Sequence, residues 1–342
     1  MKAMVLDRIA PFDMKDPPLH VADLQDPVPR GREILIEVSA CGVCHTELDE
    51  IEGRTPPASL PMVLGHQIVG KIQGKGAEAN KFAVGERVGV GWIHSACGRC
   101  GFCMEGRENL CAEFKATGRD VGGGYAELVV VPEDFAYRIP EIFTDAEAAP
   151  LLCAGAIGYR SLRLTGIRDG QNLGLTGFGA SAHLVIMMAR HSYPRSKVFV
   201  FARSEREREF AVELGAAWAG TPEEPSPERL HCIIDTTPVW NTVVKALENL
   251  ESGGRLVINA IRKEESDKDA LLQIQYPTHL WMEKEIKSVA NVSRSDIVGF
   301  LDLAGRIPIR PEVQEFPLEE ANKALAEIKE RKIRGAKVLR LG

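Results

Sequence analysis

The sequence predicts an α/β protein of two domains: a mostly-β domain made of residues 1–153 and 292–342, and a doubly wound parallel-sheet domain, 154–291, inserted between those segments. Three observations lead there. The chain has 342 residues, room for two domains at roughly 100–200 residues each. Up to about residue 150 its Val, Ile and Leu fall in short runs separated by Gly- or Pro-containing turns. Beyond Leu151 compact apolar runs alternate with helical stretches of about ten residues, the pattern of βαβ units and a parallel sheet.

In the first segment EILIEVSA (33–40), HQIVGKI (66–72), ERVGVGW (86–92) and YAELVVVP (125–132) read as strands. In the second, LGLTG (173–177), KVFVF (197–201), HCIIDT (231–236) and RLVINA (255–260) do. TPEEPSPER (221–229) reads as a solvated loop between strands. The tail FPLEEANKALAEIKERKIRGAKVLRLG (316–342) reads as one amphipathic helix and a short strand that returns to the first domain, making that domain discontinuous.

Composition narrows the function classes. Hydrophobic residues are 44% and charged ones 26%, ordinary globular values that exclude disorder and collagen-like repeats. A formal charge of -6 provides no field for nucleic acid or an anionic membrane, so neither is an expected partner. No apolar stretch approaches the roughly 20 residues of a membrane span, and the opening MKAMVLDRIAPFD lacks the pattern of a secretory leader. A cytoplasmic protein is expected. Its eight cysteines are clustered, and in a reducing compartment clustering points to metal.

Cys97, Cys100, Cys103 and Cys111 form C-x2-C-x2-C-x7-C in the loop CGRCGFCMEGRENLC, whose Gly98, Gly101 and Gly106 allow tight folding around a central atom. Four thiolates suit a closed tetrahedral zinc site; the common tight iron-sulfur run has shorter final spacing followed by Pro. Such a site is structural, and Arg99 and Arg107 are expected to ease its charge.

ACGVCHTELDE (40–50), LGHQIVG (64–70) and LLCAGAIGYR (151–160) carry Cys44, His66 and Cys153. Singly, each has an ordinary alternative as a buried histidine or a small core hydrophobe. Together, two thiolates and one imidazole would balance a divalent zinc ion and leave a fourth position for water or substrate oxygen, the ligand set of alcohol dehydrogenases.

With GVCHTELD, LGHQIVG, the four-cysteine loop, LLCAG and a glycine-rich segment in the same order, the chain resembles the zinc-dependent alcohol dehydrogenases of the medium-chain dehydrogenase/reductase family over essentially its full length. The resemblance implies a GroES-like first domain, a Rossmann second domain and an active site in the cleft between them. It matches neither Cys41 nor Cys232 to a ligand position. Three departures stand out. Gln67 replaces the Glu that usually follows the zinc histidine; Glu47 replaces an Asp that hydrogen-bonds that histidine, with the same orienting role open to it; and Asp49 replaces the His that ends the proton relay. The resemblance further implies Thr46 as the first proton acceptor, His45 near the cofactor pyrophosphate and Trp92 along the substrate pocket, although Trp92 also fits as a core aromatic.

LGLTGFGASAHLVIMMAR (173–190) places Gly177, Gly179 and Ala182 between a strand and an apolar helix as G-x-G-x-x-A. Gly177 would make the tight turn, Gly179 admit the pyrophosphate, and Ala182 permit close helix-strand packing. At the end of the next strand Ala202 occupies the usual acidic position, followed by Arg203 and Ser204, so the group that repels a 2'-phosphate is absent and two groups that bind one are present. NADP(H) is therefore expected in preference to NAD(H), with Arg206 and Arg208 as further candidates for the basic patch or as part of a solvated helix face.

The expectation is an alcohol dehydrogenase or aldehyde reductase with two zinc ions per chain, acting on a small alcohol or aldehyde as a homodimer or homotetramer. Its rivals are a polyol or other carbonyl reductase, a catalytically silent zinc-stabilised binding protein and a zinc-ribbon nucleic-acid module. The acidic charge opposes the last.

Overall fold

The computed structural model describes residues 1–307, 309–330 and 335–342. The chain divides into two compact units, Met1–Cys153 with Val292–Gly342, and Ala154–Asn291. Among the described residues no helix is long and apolar enough to cross a membrane.

The first unit is organised by the strand Glu33–Val43, which pairs antiparallel with Gln67–Lys75, Leu128–Pro132 and Ala336–Arg340. Arg87–Val90 and Ala136–Arg138 extend the sheet on one side, and Val313–Pro317 pairs parallel with Ala336–Arg340 on the other. Ile34, Ile36 and Val38 are buried while Glu37 between them is exposed, the period of two expected of a half-covered strand. The pairing register slips between Val38 and Ala40, and from Ala40 to Val43 every residue is buried. This bulge carries the strand's end into the interior, where Cys44 follows.

The tail departs from its expected form. Phe316 and Pro317 end a strand instead of opening a helix, because Pro317 cannot donate to a helical ladder and disfavours helical backbone at Phe316. A single turn Leu318–Glu320 leads into the helix Ala321–Lys329, whose Ala324, Leu325 and Ile328 join the main core. Positions 331–334 of the expected helix-strand connection lie outside the described residues.

The second unit is a six-stranded parallel sheet in the order Trp218–Gly220, Val198–Phe201, Leu173–Thr176, Leu230–Asp235, Leu250–Ile258, Glu285–Ser288. Numbered along the chain this is 3-2-1-4-5-6, the doubly wound order of a Rossmann domain. Leu173–Thr176 and Val198–Phe201 are buried at every position, which is why they read as continuous apolar runs. The two outermost strands left no such mark. Trp218–Gly220 has three residues, and all four residues of Glu285–Ser288 are exposed.

Candidate active site

Cys44 is the N-cap of the helix His45–Ile51. Its sulfur accepts from Thr46 N at 3.4 Å, and Glu47 Oε2 accepts from Cys44 N at 2.8 Å, a capping box with Cys in the place of Ser or Thr. The box turns Glu47 inward, so that its Oε1 lies 2.7 Å from His66 Nδ1, with both side chains at most 1% exposed. The other ring nitrogen is thereby aimed at the thiols: His66 Nε2 is 3.8 Å from Cys44 Sγ and 3.3 Å from Cys153 Sγ. All three donor atoms lie within 4.8 Å of one another. Gly65, at φ +95°, sets the turn before His66, and a Cβ there would stand 2.4 Å from the Tyr125 ring.

The contact with Cys153 and burial push the Cys44 thiol well above its usual range. Burial pulls His66 down, but the charges of Glu47 and Cys44 outweigh it and raise the imidazole well above normal. A divalent cation reverses this order by displacing the protons from its ligands. Two thiolates and a neutral imidazole match the charge and three of the four tetrahedral positions of zinc, so the donor set fits that ion.

The four sulfurs of Cys97, Cys100, Cys103 and Cys111 also lie within 4.8 Å of one another. Gly98 and Gly106 adopt φ of +71° and +69° to fold the loop around them. Backbone N–H groups of Arg99 and Cys100 lower the Cys97 thiol to about 6, whereas burial raises Cys103 to about 12. Arg99 and Arg107, expected to ease the charge of this set, make no hydrogen bond to its sulfurs through their side chains among the described residues. They are exposed and pair with Glu113 and Glu105, since free carboxylates on the surface compete for them, and backbone amides are what face the sulfur.

Thr46 is half-buried and His45 exposed in the first turn of the same helix. Asp49, expected at the relay exit, is buried and bound to Arg54. Gln67 is buried with its side chain folded over Gly42, where a Cβ would stand 2.6 Å from Gln67 Oε1. Trp92 is 7% exposed in a cluster with Ile93, Ala116 and Phe135, its ring 5.3 Å from that of Phe114 and 5.1 Å from the Arg119 guanidinium. Sequence reasoning missed Glu50. It is fully buried, neither carboxylate oxygen has a hydrogen-bond partner among the described residues, and burial followed by the charge of Glu47 keeps its carboxyl well above the usual range. Its spacing of three from Glu47 on a helix, which sets both on one face, was the available signal.

In the second unit Gly177 has φ +78°, and a Cβ there would meet Thr236 Oγ1 at 2.7 Å. The space over Gly179 is open, and Ala182, fully buried, begins the helix Ala182–Ser192. A glycine turn with an open cradle before a helix fits the pyrophosphate of a dinucleotide. Ala202 is buried, and Arg203 and Ser204 are exposed; Arg203 has no ion-pair partner among the described residues. Arg208 Nη1 donates to the carbonyls of Ala202 at 2.9 Å and Arg203 at 2.8 Å, so it braces this loop.

Residues 30–141 match the family model of the alcohol dehydrogenase GroES-like domain. The chain is 38% identical over 344 aligned residues to the "Probable alcohol dehydrogenase AdhA" of Mycobacterium tuberculosis, covering 99% of this chain and 97% of that one. Among solved structures it is similar to an NAD-dependent alcohol dehydrogenase, at a TM-score of 0.87 and 24% identity over 100% of both chains. It is also similar to the CAD protein of Helicobacter pylori complexed with NADP(H), at a TM-score of 0.84 and 22% identity, covering 99% of each chain.

Proposed function

Because the chain belongs to the zinc-type, medium-chain alcohol dehydrogenases, an NAD(P)-dependent family acting on small molecules, we propose that Cys44, His66 and Cys153 hold its catalytic zinc, and Cys97, Cys100, Cys103 and Cys111 a second, structural one. The observation that carries the first assignment is the Glu47 carboxylate, which fixes His66 with Nε2 toward both thiols. When bound, the metal would act as a Lewis acid on the substrate oxygen and the nicotinamide would exchange a hydride with its carbon.

The protein's own groups then have separate tasks. Cys44 and Glu47 are fixed together by the capping box, so one carboxylate braces both the ligand's backbone and His66. Thr46 accepts the proton of the substrate hydroxyl as it passes its own hydroxyl proton on towards solvent, and His45 is assigned to the cofactor pyrophosphate. Asp49, tied to Arg54, holds the C-terminal part of this helix.

NADP(H) is the preferred cofactor in this reading, supported by Ala202 in place of an acid and by the exposed Arg203 beside Ser204, its guanidinium without an ion-pair partner among the described residues. Self-association, as a homodimer or homotetramer, along the outer strand Glu285–Ser288 is supported by the exposed Tyr276, Trp281, Met282 and Ile286 near that edge. The discriminating experiment measures kcat/KM for alcohols and aldehydes with both cofactors, in the wild type and in Arg203→Ala. A charge-assisted phosphate contact of about 1.5–3 kcal/mol predicts a loss of roughly 10- to 150-fold with NADPH and little change with NADH. A wild type that prefers NADH overturns the cofactor reading. A protein with both zinc ions but no turnover on any substrate of either class overturns the enzymatic one.

A further inference from the structure

Asp235 ends the strand Leu230–Asp235, next to Thr176 at the end of Leu173–Thr176. These are the first and fourth strands of the 3-2-1-4-5-6 order, between which the order reverses and where doubly wound sheets take their ligands. Asp235 is fully buried. Its Oδ1 accepts from the hydroxyls of Thr176, Thr237 at 2.8 Å and Thr242 at 3.2 Å. Its Oδ2 is bound to Lys263 Nζ, which also donates to the carbonyls of Thr237 at 2.9 Å and Val239 at 3.0 Å. A lysine has three donors, and all three are spent here, with the side chain 8% exposed.

Lys263 comes from the segment that follows Leu250–Ile258, and that segment is fastened at further points: Asn259 N donates to Asp235 O at 2.8 Å and Glu264 N to Pro238 O at 2.7 Å. Thr176 immediately precedes Gly177, and Thr236 Oγ1, which would clash with any Cβ at Gly177, donates to Thr176 O at 2.8 Å. The glycine turn is therefore held from below by a chain of contacts that ends on one buried ammonium.

We propose that Lys263, acting through Asp235 and Thr176, is a positioning residue for the dinucleotide site, setting the geometry of the Thr176–Gly179 turn on which cofactor affinity depends. The inference rests on the reading of that turn as the cofactor site. Without Lys263 the Asp235 carboxylate is left buried and unpaired, and it recovers solvation by dragging the surrounding hydroxyls and the turn out of place. Removing the charge of Asp235 as well relieves that demand while keeping an oxygen for Thr176.

The test combines fluorescence titration with NADH and NADPH and amide hydrogen exchange at 176–180 on the cofactor-free protein. Lys263→Met is expected to raise Kd for both cofactors by on the order of ten- to a hundredfold, the sensitivity of positioned groups to a displacement of about 1 Å, and to speed exchange in the turn, with zinc content unchanged. The double variant Asp235→Asn, Lys263→Met is expected to return Kd to within a few-fold of wild type, a rescue that lost packing alone would not give. Thr176→Val cuts the link with the ion pair intact and is expected to raise Kd even if Lys263→Met does not fold. Wild-type affinity and unchanged exchange in Thr176→Val or in a folded Lys263→Met overturn the positioning role. A wild type that binds neither cofactor overturns the reading of the turn, and this inference with it.

Discussion

Cys97, Cys100, Cys103 and Cys111 come from one loop, whereas Cys44, His66 and Cys153 are separated by 22 and 87 positions and meet only through the fold. The loop fixes its own sulfurs with glycines at positive φ and with backbone amides that face Cys97. The dispersed set is fixed by a helix cap, a glycine turn against Tyr125 and a buried carboxylate behind the histidine. A set closed by four thiolates has no position for substrate, and a set of three leaves one. Local spacing thus suffices to gather four thiols in one loop, while the dispersed set borrows its rigidity from several elements.

Exchanging one ligand in each set should give the largest and most divergent effects. Cys153→Ser is expected to remove about one zinc per chain and lower kcat/KM by on the order of 10³-fold or more, since Lewis-acid stabilisation contributes several kcal/mol, with the circular dichroism spectrum preserved. Cys103→Ser should instead lower the melting temperature steeply, because zinc bound by a structural site adds on the order of 10 kcal/mol to folding, while the folded fraction keeps its turnover. Full zinc and full activity in Cys153→Ser would break the distinction.

A second substitution separates ligation from proton transfer. Thr46→Val should slow alcohol oxidation by on the order of 10²- to 10⁴-fold with both zinc ions retained; wild-type rates would remove Thr46 from the mechanism. The smallest effect sharpens the part played by support. Glu47→Gln should weaken the dispersed site about 10- to 100-fold, read by competition with a chelator, and leave the four-cysteine site untouched. Equal loss from both sites would show that Glu47 sustains the fold and not the histidine.

Much of this was legible beforehand. The mostly-β unit, the parallel sheet and the family could be read because strand period, βα alternation and motif order are local properties of the chain. Less legible were Trp218–Gly220 and Glu285–Ser288, edge strands that are short or exposed and carry no apolar run. The dispersed ligands could be joined only by resemblance, since no spacing rule relates residues 22 and 87 positions apart.

Residue order alone supplied the available groups: seven metal-ligand candidates, a glycine turn ahead of a helix, and a strand ending in Ala202, Arg203 and Ser204 where an acid usually stands. What each side chain faces came from folding. It buried Glu50 with no hydrogen-bond partner among the described residues, tied Asp49 to Arg54, sank Trp92 into a cluster beside Arg119, and spent Lys263 on Asp235 under the glycine turn. The physical reason is range. Backbone preferences and apolar periodicity act within a few residues, whereas desolvation and charge pairing depend on which distant segments share the interior, and those distances exist only once the chain has folded.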